Sequence, residues 1–437
     1  MIVYFFTLLV FILIYKINRF TLKKLFLQPL SFAIFGVVFI TIIVPIIQYL
    51  DNYYHFANYS WDIKLSALTY ALLYLMVLVL SYKIFKPQND IHVFHTYSLS
   101  LAYERKLVLA NIILVVFCTL SLIKVIHEFD YSTFLANRIT LLKGFGGLIL
   151  PIYSLSLLTC LFYIKKTANL KSLKNIIFFG SLLLFQLLVF SLVGNRNSFF
   201  ITVFLLFLTV LFFGKRLTIT KKVKNTLMIV IVLLLFTVTG YMRMRLSNQL
   251  SLSTIYANLD EIIVSGFIKV FLNHELLQWL MQFPNKWELQ HGNTFLAAIS
   301  NFIPREIWPD KPLGAGPIIR NFIFPGSYYI GGENLTSYTT GIITESFMNF
   351  SWLGIVFVAP FHGIILAQID RLRRKSFTPL TLALYFYCLY FFCFAIFFSE
   401  FLGLLSRFIG SSLIFWVIYF INRKQIARCK RELYEKN

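Results

Sequence analysis

Long apolar stretches separated by short clusters of charge set the rhythm of this chain. Runs free of Asp, Glu, Lys and Arg cover residues 2–15, 30–50, 65–82, 107–123, 144–164, 175–193, 197–213, 225–242, 346–369, 376–399 and 408–422. A bilayer-crossing helix needs about 20 mostly apolar residues. With modest extension at their ends, these runs predict about eleven spanning helices. The expected fold class is an all-α polytopic integral membrane protein. There is no repeat of fixed period, no heptad pattern and no pair of matched halves with interrupted helices, which would point to a secondary transporter.

One gap breaks the rhythm. Residues 243–341 form a 99-residue segment without a run long enough to span, and connections of that length are usually functional. The expected organisation is helices 1 to 8 in residues 1–242, a large loop in 243–341, helices 9 to 11 in 342–422 and a basic tail in 423–437. Within the loop, residues 262–272 and 294–303 (TFLAAISNFI) are apolar and aromatic but short. They predict helices lying at the membrane interface.

Composition agrees, with 58% hydrophobic and 13% charged residues and a mean hydropathy of +0.76. The net charge of +22 would by itself suggest nucleic acid. Sorting the charges by alternating loops removes that reading. Lys16, Arg19, Lys23 and Lys24 follow the first run, Lys83, Lys86, Arg105 and Lys106 the third, and Lys165, Lys166, Lys171 and Lys174 the fifth. Lys215, Arg216, Lys221, Lys222 and Lys224 follow the seventh, and Arg371, Arg373, Arg374 and Lys375 the ninth. With six more in the tail, this side holds 27 of the 40 basic residues but only five of the 18 acidic ones, so the entire net charge resides there. By the positive-inside rule it is the cytoplasmic side. The amino terminus and the long loop are then outside and the carboxy terminus inside. The first run, with its positive flank after it, reads as an uncleaved anchor. Cys118, Cys160, Cys388 and Cys393 fall in runs and Cys429 in the tail, a distribution that predicts no disulfide.

The outer cations suggest the chemistry. Arg196 sits in the tight GNRNS turn (194–198), Arg243 and Arg245 at a helix end, Arg305, Lys311 and Arg320 in the long loop, and Arg407 about one turn inside the last run. Arginine suits phosphate because its planar fork binds oxyanions bidentately and stays charged. A membrane-embedded anionic substrate such as a lipid diphosphate needs several such donors, to bind it and to stabilise a departing diphosphate. Lipid headgroups are the competing partner for each cation taken singly, and snorkelling is the competing reading of Arg407. Glu400 is a partner for Arg407 from the same side. The string NFIPREIWPDKP (301–312) carries three prolines, which stiffen the loop around Arg305 and Lys311. Gly314, Gly316, Gly326, Gly331 and Gly332 follow, where backbone can approach a ligand closely.

Acids and bases on the outer side are His274, His291, Glu275, Glu288, Asp310, Glu333, Glu345 and Glu400. Glu345, opening the ninth span, is placed to accept a proton from an acceptor hydroxyl, although a helix dipole also favours an acid there. His274 and His291 read as surface or interfacial histidines. No HExxH, CxxC or Asp-x-Asp is present, so neither a metal site nor metal-bound nucleotide-sugar chemistry is indicated.

The strings GNTFLAAISNFIPREIWPDKP (292–312) and TTGIITESFMNFSWLGIVF (339–357), with GNRNS upstream, resemble the O-antigen or oligosaccharide repeat-unit polymerases of the Wzy type. The most specific part is PREIWPDKP followed by Glu345, Phe347, Asn349, Phe350 and Gly354. The resemblance implies a fold similar to membrane-embedded GT-C-like glycosyltransferases in the bacterial cytoplasmic membrane. It implies that a glycan on undecaprenyl diphosphate is transferred, without metal or other cofactor, to a hydroxyl of the next lipid-linked repeat unit on the outer face. O-antigen, capsule and exopolysaccharide are all open as products. Glu345 and Arg305 would be catalytic, and Arg196, Arg243, Arg245, Lys311, Arg320 and Arg407 would bind substrate. Implied partners are the lipid-linked glycans, the bilayer and a polysaccharide chain-length regulator, with no nucleic acid. The rivals are an O-antigen ligase, whose usual His followed eight residues later by Gly is absent, and a lipid-linked oligosaccharide flippase or other transporter.

Overall fold

The computed structural model describes residues 28–50, 52, 54–86, 113, 116, 120, 271–330, 338–374, 379–410 and 412. The first apolar run, nearly all of runs four to eight, and with them Arg196, Arg243 and Arg245, lie outside the described residues. The described residues are helical, with no strand among them. Three helices are long and apolar enough to cross a membrane: Pro29–Leu50, Trp61–Phe85 and Gly341–Leu372. They correspond to the second, third and ninth runs.

The chain divides into two compact units, and the first (Met1–Asp90, Val264–Leu372, Cys388–Ser406) holds most of the described residues. Helix α1 (Pro29–Leu50) starts on a proline at its first turn, where a missing N–H costs nothing. It contains a π turn at Phe39–Ile43. Helix α2 (Trp61–Phe85) carries Asp62 in its first turn and Lys83 in its last, each matching the helix dipole. From residues 271–330 come α3 (Asn273–Gln282), α4 (Asn293–Ile299) and α5 (Ala315–Ile323). Helices α6 (Gly341–Phe350) and α7 (Gly354–Arg374) follow, joined by a single 3-10 turn at Ser351–Leu353. Helix α8 (Pro379–Cys393) leads through a 3-10 turn at Ala395–Phe397 to α9 (Phe401–Gly410).

The tenth run, which reads as one span, is therefore a 15-residue helix followed by a break. Aromatic packing accounts for the break. Phe394 stacks on Phe32 at 5.5 Å and Phe35 at 6.1 Å and lies against Phe398 at 5.1 Å, while Phe39 meets Phe271 edge-on at 5.0 Å. Such ring pairs add about 0.5–1.5 kcal/mol each beyond burial. Gly36 gives the ring of Phe397 its place against α1.

Polar bonds fix α2 against α6 and α7. The Tyr70 hydroxyl shares a hydrogen bond with Ser346 Oγ (2.9 Å), and Ser81 Oγ donates to the carbonyl of Pro360 (2.8 Å). His362 Nε2 lies 2.9 Å from the Phe392 carbonyl, which can only accept, so Nε2 carries the proton and Nδ1 accepts from Tyr74 Oη at 3.2 Å. In the second unit, Tyr387 stacks on Phe408 at 5.8 Å, and Arg407 lies half-buried on α9.

The α2–α7 crossing depends on Gly363, where an added Cβ would meet the carbonyl oxygen of Leu78 at 2.6 Å. Backbone cannot yield there as a side chain can. Gly363→Val is expected to destabilise the protein by at least the roughly 1–3 kcal/mol of an overpacked core, whereas Gly36→Ala, which presses mainly on an aromatic ring, costs less. Thermal unfolding of the purified variants in detergent checks the order.

Candidate functional site

The two sequence strings quoted above meet in space. Residues 290–294 dock on the end of α6: the N–H groups of Gln290 and His291 donate to the carbonyls of Met348 (3.1 Å) and Asn349 (3.0 Å). Gly292, at φ +90, donates its N–H to Asn349 Oδ1 at 2.9 Å. Asn349 Nδ2 in turn donates to Thr294 Oγ1 (2.7 Å) and to the carbonyl of Glu345 (2.8 Å). Asn349 is fully buried, so its amide satisfies donors and acceptors that have no water to turn to.

One turn back lies Glu345, also fully buried. Its Oε2 accepts the Phe401 N–H at 3.0 Å and lies 3.5 Å from the Thr340 hydroxyl. Its Oε1 has no hydrogen-bond partner. Glu400 stands close enough for the two carboxyl charges to act on each other. Gly314, which caps α5, is packed against the Glu400 carboxyl so closely that any Cβ would collide with it. The close approach this glycine permits is thus to the protein's own acid. Among the described residues, no three His, Cys, Asp or Glu side chains converge as a metal set would.

Arg305 and Lys311 lie in the same loop, and each spends part of its donor capacity on shaping it. Arg305 Nη1 donates to the carbonyls of Pro309 (2.9 Å) and Lys311 (3.1 Å). Lys311 Nζ donates to the carbonyls of Ile303 (2.8 Å) and Asn301 (3.4 Å). Asn301 Nδ2 ties the loop to Ser406 Oγ at 2.8 Å. The Lys311 ammonium is held below its usual pKa by partial burial and then by the charge of Arg305. Tyr328 lies within electrostatic reach of both Glu400 and Arg305, and its phenol is raised by burial first and by Glu400 second. Arg305 and Glu400 thus both act electrostatically on Tyr328, and Glu400 on Glu345, while no hydrogen bond joins Arg305 to Glu345. Arg320 lies farther along α5 and donates from Nε to Ser327 Oγ at 3.2 Å.

Glu275 and His274, on α3, depart most from expectation. Glu275 is buried and accepts the backbone N–H groups of His55 (3.3 Å), Phe56 and Ala57 (3.4 Å) together with Gln48 Nε2 (2.8 Å). Burial raises its pKa, and these hydrogen bonds oppose the rise. His274 is 3% exposed rather than at the surface, and neither ring nitrogen has a hydrogen-bond partner. His291 is exposed, at φ +48. Nothing in the spacing of a single histidine distinguishes these two outcomes. Asn349 had a signal, since it stands in the segment that carries the family resemblance.

Compared with protein-family models, curated proteins and solved structures, the chain matches none of them.

Burial pushes the His274 pKa down to about 4, and the nearby charge of Lys64 adds to the shift. The unfolded chain therefore takes up this proton near the ordinary histidine value while the folded chain does not, and the folded state loses stability as pH falls from about 6.5 towards 4. In His274→Phe that part of the pH dependence is expected to disappear. Unfolding midpoints measured across this range for both proteins test it.

Proposed function

We propose that this chain polymerises undecaprenyl-diphosphate-linked oligosaccharide repeat units on the outer face of the bacterial cytoplasmic membrane. The observation that supports the reading best is the buried Glu345 carboxylate, with one oxygen fixed by the Phe401 N–H and the other without a hydrogen-bond partner. A carboxylate held in this way is oriented yet retains an acceptor for a proton. In the proposed reaction an acceptor hydroxyl oxygen attacks the anomeric carbon of the donor glycan. Its proton passes to Glu345, the bond to diphosphate breaks with inversion, and undecaprenyl diphosphate departs with the electron pair.

The leaving diphosphate needs cations. Arg305 uses Nη1 on the loop's own carbonyls, which fixes the guanidinium plane and leaves the Nε–Nη2 edge to take an oxyanion. Lys311 adds a second charge in the same loop. Arg196, Arg243, Arg245, Arg320 and Arg407 complete the proposed set of substrate-binding cations, and the step uses no metal ion. The bilayer, in which the three apolar helices would sit, supplies both lipid-linked substrates, and a chain-length regulator is the proposed protein partner.

In cells deleted for this protein, wild type is expected to restore a ladder of long glycans, whereas Glu345→Gln and Arg305→Ala leave single repeat units at matched membrane abundance. Losing a proton acceptor costs about 10²–10⁴-fold in rate, enough to abolish the ladder. Long chains left on the carrier lipid in deleted cells would instead indicate a ligase, and repeat units trapped on the cytoplasmic leaflet a transporter.

A further inference from the structure

Helix α4 and the turns after it reverse the usual order of burial. Thr294, Ala297, Ala298 and Ser300 are buried, while Leu296, Ile299, Phe302 and Ile303 are exposed. Past Asn293, every exposed residue up to Ile303 carries a large apolar side chain. Leu296, Ile299 and Phe302 recur at intervals of three, and the 3-10 turn at Ser300–Phe302 keeps them in line, because positions three apart eclipse in such a turn. The polar groups turn the other way: Thr294 accepts from Asn349, and Asn301 donates to Ser406. Beyond Pro304, Ile307 is 75% exposed. No Asp, Glu, Lys or Arg interrupts 289–304. A helix on a water-facing surface turns its large apolar side chains inward, and contiguous apolar patches that face outward mark sites for a protein or a membrane.

The neighbouring helix identifies the occupant. Phe295 stacks on Phe350 at 6.3 Å, and Phe350 meets Phe357 at 5.5 Å. Phe357, with Val356 and Phe361, is exposed on α7, within Gly341–Leu372, which is long and apolar enough to cross a membrane. This ladder of rings joins the apolar face of α4 to that of the spanning helix. The level agrees. A hydrocarbon core takes about 20 residues of helix. Counted back from Ile369, just ahead of Asp370 and Arg371, they end near Phe350. Trp352, half exposed in the turn that follows, is a residue suited to the membrane boundary. The N–H groups of Gln290 and His291 bond to the carbonyls of Met348 and Asn349, so α4 starts at that boundary. By the distribution of charge along the chain, it is the outer one. Lipid there requires what α4 offers, apolar side chains without charge.

We propose that Leu296, Ile299, Phe302 and Ile303 dock into the outer leaflet, against the acyl chains of phospholipid. The apolar pattern of 294–303 predicts an interfacial helix without saying which side chains meet lipid, and their burial assigns them. Ile307 extends the contact. The loop that holds Arg305 and Lys311 is thereby kept at headgroup level, where a phosphate carried on a lipid arrives by lateral diffusion. The docking involves no substrate, and it stands or falls apart from the polymerase reading.

The test uses the full chain in vesicles of phosphatidylethanolamine and phosphatidylglycerol. A small fluorophore is introduced as a noncanonical amino acid at Ile299, at Phe302 or, as the solvated control, at Asn285, all three being exposed positions. Quenching is measured with a phospholipid bearing a nitroxide near the glycerol end of its acyl chain, and with iodide in the water. At Ile299 and Phe302 the nitroxide lipid is expected to quench several-fold more strongly than iodide, and at Asn285 the order reverses. If iodide quenches the first two positions as strongly as the lipid does, the face is solvated and the proposal is refuted. If neither quencher reaches them, another segment of the chain or a second copy covers the face, and the proposal is equally refuted.

Discussion

The Glu275 carboxylate is the tie on which the described part of the first unit depends. It sits on α3, a helix whose first three residues, Asn273, His274 and Glu275, are all polar and all buried. Burying them among apolar helices would be costly unless each found a partner. Glu275 binds residues 55–57 and Gln48, and so joins the turn between α1 and α2 to α3. Asn273 binds Thr339 and Thr344, joining α3 to α6. With those two tied in opposite directions, His274 is committed to the space between, and its burial follows from its neighbours' bonds rather than from any affinity of its own.

The same logic explains the Glu345 site. Asn349 anchors the 290–294 segment to α6, and Phe401 reaches Glu345 from the start of α9. Three stretches far apart in the chain supply one carboxylate's surroundings. The loop cations Arg305 and Lys311 bond to carbonyls of their own loop and hold it in a fixed form around their charges.

How much of this the sequence discloses varies by level. The apolar runs at 30–50, 65–82 and 346–369 correspond to long apolar helices because hydrophobic length is written in composition alone. The run at 376–399 misleads for the same reason: composition does not register that Phe394 leaves helical geometry, at φ −133, to pack on three other phenylalanines. Short helices in 294–303 were legible from their apolar pattern, and α4 occupies most of that stretch. The burial of His274 was not legible, since it depends on Gln48 and His55–Ala57, over two hundred residues away. Glu345 stood out by type and place, but its full burial was not legible, since the N–H that meets its carboxylate comes from Phe401, 56 residues away.

The bond from Asn349 to the 292–294 segment carries a consequence for descent. A side chain that satisfies Gly292, Thr294 and the Glu345 carbonyl together cannot change alone without stranding a buried partner. Asn349 lies 57 residues along the chain from Gly292 and 55 from Thr294, yet they share one hydrogen-bonding account. A lineage that alters one is expected to alter the other in the same step or lose both.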